Sequence, residues 1–220
     1  DGDRVRRLTE KMEESLRQKT ARSGRFVEEA KQVLPGGVAS SFQDVPPHPV
    51  FITGGKGSRV WDLDGNEYSD YHNGFGVMVM GHAHPVIAAA IAEVAARGTH
   101  FAAPNESAVR MAMELTRRFR LPKVRFCNSG TEATLDAVRL GRAFSGKDGL
   151  VKIEGTYHGH HDAVMVSVKP NAAKIGPRAR PVSVPQSAGI PQAILDMTVV
   201  VPFNDPDALD QALADNPDVG

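Results

Sequence analysis

Asn128-Ser129-Gly130-Thr131-Glu132-Ala133 and, further on, Tyr157-His158-Gly159 are the stretches on which the fold reading turns. The first leaves a short apolar run, Val124-Arg125-Phe126-Cys127, and enters a helical pattern marked by Ala133, Ala137, Val138 and Leu140. A strand that exits through Ser-Gly-Thr into a helix aims unpaired backbone N–H groups, and the positive end of the helix dipole, at one point. That point suits an anion, and a phosphate best of all. The second stretch follows another apolar run, Leu150-Val151-Lys152-Ile153, so both loops are expected on one edge of a single parallel sheet. A phosphate cup beside a loop carrying Tyr157 and His158 describes a place for a flat, phosphorylated cofactor.

Working outward, residues 4–33 read as charged helical segments, with Leu8, Met12 and Leu16 at helical spacing and a break expected at Ser23-Gly24. Pro35-Gly36-Gly37 stops them, and Pro46-Pro47-His48-Pro49 reads as an extended linker. A hairpin is expected from Val50–Thr53 and Ser58–Trp61, turning through Gly54-Gly55-Lys56-Gly57, with a second tight turn at Asp64-Gly65. Pro85 opens a helix that Gly98 closes, and Asn105 caps the next one. Then come a strand at 123–127, a helix at 130–145 stopped by Gly146, and a strand at 150–153. From Pro170 to Pro191 the composition turns to Pro, Ala, Ser and Gly, which predicts a long irregular excursion. Thr198–Val201 reads as a strand and 205–214 as a last short helix. The division expected is 1–72 for the N-terminal helices and antiparallel hairpin of a small domain, and 73–220 for the first part of a large α/β domain.

Composition narrows the function classes. Of the 220 residues 41% are hydrophobic, enough for a core, and the formal net charge is zero. No global field recruits nucleic acid or an anionic membrane. The longest apolar stretch, Val86–Ala96, is too short to span a bilayer. The first twenty residues carry no apolar signal core, and a lone Cys127 fits a reducing compartment, so the cytoplasm is expected.

Longer motifs carry a resemblance. Asn128 to Thr134, then Lys152-Ile153-Glu154-Gly155-Thr156-Tyr157-His158-Gly159-His160, resemble the class III aminotransferases that use pyridoxal phosphate, nearest to the glutamate-1-semialdehyde 2,1-aminomutase branch. Leu34-Pro35-Gly36-Gly37-Val38, Val60-Trp61-Asp62-Leu63-Asp64-Gly65-Asn66 and Gly81-His82-Ala83-His84-Pro85 fit in the same order. The resemblance implies an α/β, fold-type I transferase with a mainly parallel sheet, flanking helices and a small N-terminal α/β segment. It also implies a pyridoxal 5'-phosphate cofactor, an amino donor, a carbonyl acceptor and a homodimer. The family's Schiff-base lysine, and the aspartate that pairs with the cofactor's pyridine nitrogen, have no matching context here. They are expected downstream, so the chain reads as the N-terminal part of a longer enzyme, with no catalytic residue of its own.

By the same resemblance, Gly130 and Thr131 offer backbone N–H groups to the phosphate, with the Ser129 and Thr131 hydroxyls as further donors. Tyr157 is the ring-stacking candidate and His158 packs beside the cofactor or holds the loop. Set beside this is the blander reading that Ser129 only caps its helix and Tyr157 only packs. Glu132 reads equally as a dipole-favoured carboxylate and as a functional one. Phe75 aligns with an aromatic at the substrate entrance of the aminomutase branch and reads equally as a substrate contact and as plain packing. Gln43 stands where the aminomutase branch has an arginine for the substrate carboxylate, and glutamine lacks that charged fork. This departure points away from glutamate semialdehyde as substrate.

The histidines at 158, 160 and 161 with Asp162, and the pair His82 and His84, do not read as metal sites, because one short loop rarely supplies a tetrahedral set. Lys152 and Lys169 lack the context of a Schiff-base lysine. Two rivals remain: a non-catalytic binding module, and a phosphate-ester or nucleotide binder that has no need of Tyr157.

Overall fold

In the computed structural model, which describes residues 2–220, local capping chemistry sets most element boundaries. The chain runs through α1 (Gly2–Lys19), α2 (Ala21–Ala30) and single 3-10 turns at Pro35–Gly37 and Ser41–Gln43. Next are β1 (Ile52–Lys56), β2 (Arg59–Asp62), β3 (Glu67–Ser69), the irregular turn α3 (Asn73–Gly76) and α4 (Pro85–Ala95). It continues with α5 (Glu106–Phe119), α6 (Gly130–Ser145), β4 (Leu150–Ile153), α7 (Gln192–Asp196), β5 (Thr198–Val201) and α8 (Pro206–Asp215). There are two compact units, one ending at Pro104 and the other covering Asn105–Gly220.

In the first unit the helical break falls at Thr20, not at Ser23-Gly24. The Thr20 hydroxyl donates back to Leu16 O at 2.6 Å and lies 2.9 Å from His48 Nε2. Gly24 stays inside α2 because the His48 ring covers it; a Cβ there would come within 3.0 Å of His48 Cε1. Strands β1, β2 and β3 form an antiparallel sheet in that order. Gly54 and Gly55 belong to β1 rather than to the hairpin turn, since His82 lies over Gly55 and a Cβ would stand 2.6 Å from its Cγ. Asp62, buried at the end of β2, accepts from Asp64 N, Asn66 N and Tyr68 Oη at 2.9, 2.8 and 2.7 Å, which shapes the turn into β3.

The loop after β3 is closed at its neck. His82 exchanges backbone hydrogen bonds with Gly57 at 2.8 and 2.9 Å, and its Nε2 lies 2.7 Å from Asp70 Oδ2. Asp70 Oδ1 also accepts from His72 N and Asn73 N, each at 2.9 Å. Beyond it, α4 begins at Pro85 as expected. Apart from Glu93 it is apolar, as a core helix would be, yet Val86 and Ile91 are exposed.

In the second unit, Asn105 Oδ1 accepts from Ala108 N at 2.9 Å to start α5, and Gly146 ends α6 in the left-handed region with φ +70°. The expected strand at 123–127 does not form. A strand exists only through its ladder, and among the described residues no neighbour pairs with this run, leaving Phe126 exposed. The parallel pair is instead β4 with β5, in register from Leu150↔Thr198 to Ile153↔Val201. Thr198, Val200 and Val201 are buried, and with Ala163, Val164, Val166 and Val168 they make this unit's core. Between β4 and α7 there is no regular element, and the span from Pro170 to Pro191 is the irregular excursion its composition predicts; α7 itself was not anticipated. Among the described residues no helix is long and apolar enough to cross a membrane.

Candidate functional site

The first turn of α6 is built from its own cap. Ser129 Oγ accepts from Glu132 N at 3.2 Å, while Glu132 Oε2 accepts from Ser129 N at 3.1 Å and also from Asn128 N. Ala133 N donates to Ser129 O at 3.1 Å. The capping box therefore occupies the donors of Ser129 and Glu132, and the first helical hydrogen bond occupies that of Ala133. Gly130 N–H and Thr131 N–H are the first-turn donors that the helix does not use. Glu132 is thereby given a structural task, and Ser129 does cap, although its own O–H remains able to donate outward.

Gly130 has no packing reason inside the chain. A Cβ on it would meet nothing within 4 Å, and its φ is not in the left-handed region. Gly159 is the opposite case. Its φ is +113°, and a Cβ would lie 2.8 Å from Thr131 Cα, so only glycine lets this loop rest on the first turn of α6.

The loop that carries Tyr157 is tied to that turn by Thr131, already a phosphate candidate, and by Thr134, to which the motif gives no role. Thr134 Oγ1 donates to His158 O at 2.7 Å, and Thr131 Oγ1 accepts from His160 N at 3.0 Å. His161 Nε2 lies 3.2 Å from Thr134 Oγ1, and burial holds its pKa below the usual histidine value against the opposing charge of Asp162. On the strand side, Lys152 is 3% exposed. Its Nζ donates to Thr156 O at 2.7 Å and Ile153 O at 3.2 Å, and burial depresses its pKa. Threonines three apart at a helix start, and a lysine amid apolar strand residues, were the available signals for these ties.

Ser129, Gly130, Thr131 and His158 are thus gathered at one place, with Tyr157, about half exposed, on the same loop. Gln43 and Phe75 lie in the other unit. Gln43 Oε1 accepts from its own turn, at Ser40 N, 3.2 Å away. Phe75, at φ +60° and largely exposed, meets the Phe42 ring edge-on at 5.9 Å and His72 at 4.1 Å. Among the described residues no group of three or more His, Cys, Asp or Glu could hold a metal ion. His82 instead pairs with Asp70, and His84 precedes α4 with its Nδ1 buried and unpartnered.

With this geometry established, the chain can be set beside known proteins. A family model described as Aminotransferase class-III matches residues 40–215. A relative from Persephonella marina named glutamate-1-semialdehyde 2,1-aminomutase is 44% identical over 197 residues, which are 88% of this chain and 44% of that protein. A solved omega-transaminase from Sphaerobacter thermophilus is 38% identical with a TM-score of 0.84, over 89% of this chain and 45% of that one. A glutamate-1-semialdehyde-aminomutase structure from Pseudomonas aeruginosa PAO1 is 33% identical with a TM-score of 0.84, over 100% and 47%. The chain spans about half the length of the curated relatives it matches.

Proposed function

The chain belongs to the class III aminotransferases, and on that premise we propose that it serves a pyridoxal-phosphate-dependent transfer of an amino group from an amino acid or amine to a keto or aldehyde acceptor. Its fold is that of the fold-type I transferases, an α/β arrangement with a parallel strand pair and flanking helices. The observation that carries the functional reading is the unused donor pair at Gly130 and Thr131, with the Tyr157 loop fastened to the same helical turn.

The residues present fit the cofactor. Gly130 answers to no constraint inside the chain, which is what a close approach by an outside phosphate requires. Gly130 N–H and Thr131 N–H would donate to that phosphate, helped by the Ser129 and Thr131 hydroxyls and the helix dipole. Thr131 Oγ spends a lone pair on His160 N–H and keeps its proton to give. The face of Tyr157 would lie against the pyridine ring, with His158 beside it. Pyridoxal phosphate, once bound, supplies an electron sink that lets a substrate's amino-bearing carbon release its proton. No lysine or aspartate of these 220 residues is assigned the covalent or pyridine-nitrogen role.

The aminomutase reading is the alternative, favoured by the names of the relatives at around 40% identity. Gln43 argues against a substrate whose carboxylate needs a charged fork. Phe75, with Phe42 at its edge, is the proposed wall of the substrate entrance in either case. We place the complete enzyme in the cytoplasm as a homodimer, on the strength of its family and of the single cysteine among these 220 residues.

The test is an absorption spectrum of the full-length polypeptide with pyridoxal 5'-phosphate, before and after candidate amines. Loss of the visible cofactor band on adding an amine, and its return with a carbonyl acceptor, is the expected result. A spectrum identical to free cofactor would end the reading.

A further inference from the structure

Lys152 is a buried cation to which the proposed chemistry gives no part, and its surroundings are specific. It points off β4 with 3% of its surface exposed, and its ammonium group sits over the turn that follows the strand. Nζ donates to Thr156 O at 2.7 Å and to Ile153 O at 3.2 Å, and reaches Thr156 Oγ1 at 3.5 Å. Thr156 Oγ1 itself donates to Ile153 O at 2.6 Å, closing the turn on both sides. A buried ammonium is costly unless its protons are met, and here carbonyl groups meet them. Thr156 O belongs to the peptide that leads directly into Tyr157, so the lysine fixes the plane from which that aromatic ring departs. The far side of the same loop is held independently by Thr134 on His158 O and Thr131 on His160 N.

We propose that Lys152 is a positioning residue whose carbonyl grip on the 153–156 turn sets the orientation of Tyr157 toward the cofactor ring. This rests on the reading of Tyr157 as the ring plate. Lys152 touches neither cofactor nor substrate, and its action passes through one backbone carbonyl. The unbranched side chain of methionine, one heavy atom shorter than that of lysine, fills most of the same space without the donors, so the substitution tests the hydrogen bonds with little loss of packing.

The experiment is a double-mutant cycle on the full-length polypeptide, measuring the dissociation constant of pyridoxamine 5'-phosphate, with inorganic phosphate as a second probe. Lys152→Met is expected to weaken pyridoxamine phosphate by about tenfold while leaving inorganic phosphate unchanged within about twofold. In a Tyr157→Ala background the same substitution is expected to add nothing. Additive losses, an equal loss for inorganic phosphate, or no loss in the single variant would each overturn the proposal. If Tyr157→Ala alone leaves pyridoxamine phosphate affinity unchanged, it is the ring-plate reading that fails, and this proposal with it. Should Lys152→Met not fold, Lys152→Arg keeps a buried cation but presents a planar fork that cannot meet both carbonyls alike. The same cycle then applies, with the same coupled outcome expected and additivity again overturning it.

Discussion

The side-chain oxygen of Thr131 accepts the backbone N–H of His160 at 3.0 Å. One residue of the α6 first turn thus offers its own N–H outward and anchors the aromatic loop sideways. The proposed anion site and the proposed ring site would share this residue, so damage to either is expected to be felt at both.

Gly159 is the sharpest test of that sharing. With φ at +113° and a Cβ position 2.8 Å from Thr131 Cα, alanine there is strained in its backbone and collides with a helix. Gly159→Ala should destabilise by about 1–3 kcal/mol and weaken pyridoxamine phosphate binding. Thermal unfolding and titration check this; an unchanged melting temperature would show that the loop does not rest on α6.

Thr134 gives a finer measurement. Thr134→Val keeps the shape and removes the hydrogen bond to His158 O, leaving that carbonyl to find another donor. A loss of about 1 kcal/mol in unfolding free energy is expected, with Thr134→Ser retaining most of it. A loss in Thr134→Ser with none in Thr134→Val would trace the effect to the methyl group instead.

Acid stability should report the neck of the Phe75 loop. The hydrogen bond from His82, followed by the N–H groups of Asn73 and His72, lowers the pKa of Asp70 from the ordinary 3.8. The folded carboxyl is therefore the stronger acid, so its stabilising effect is fully present above the unfolded pKa. It is lost as pH falls through the folded value. Unfolding curves of the parent and of Asp70→Asn, taken from neutral pH to below 3.8, should converge as pH drops. Parallel curves would remove this role from Asp70.

Gln43 bears on substrate choice. Gln43→Arg in the full-length polypeptide should lower KM for donors carrying a second carboxylate by about tenfold, with little change for simple amines. Steady-state kinetics on paired substrates decide it, and an equal change for both classes would detach Gln43 from the pocket.

What was legible in the sequence was what is decided locally. Asn105, Pro85 and Gly146 mark helix ends because capping involves residues three or four apart, and each boundary appears where it was expected. β5 was readable because its run is mostly apolar and buried, and β4 because apolar residues flank its single lysine. The glycines misled, since Gly24 and Gly55 look like breakers but are fitted against His48 and His82, from distant positions in the chain. The run at 123–127 looks like a strand, yet a strand needs a partner that its own residues cannot specify. At the candidate site, Ser129, Gly130 and Thr131 stood out by motif. The roles of Lys152 and Thr134 did not, because their partners are backbone carbonyls, which no residue name reveals.

The loop from Gly155 to His160 is secured on both flanks before any ligand arrives. At the proposed cofactor site, this bracing would leave little backbone entropy to be lost on association. Affinity at such a place comes chiefly from contact with the guest, and capture should proceed at a rate set by encounter rather than by loop closure.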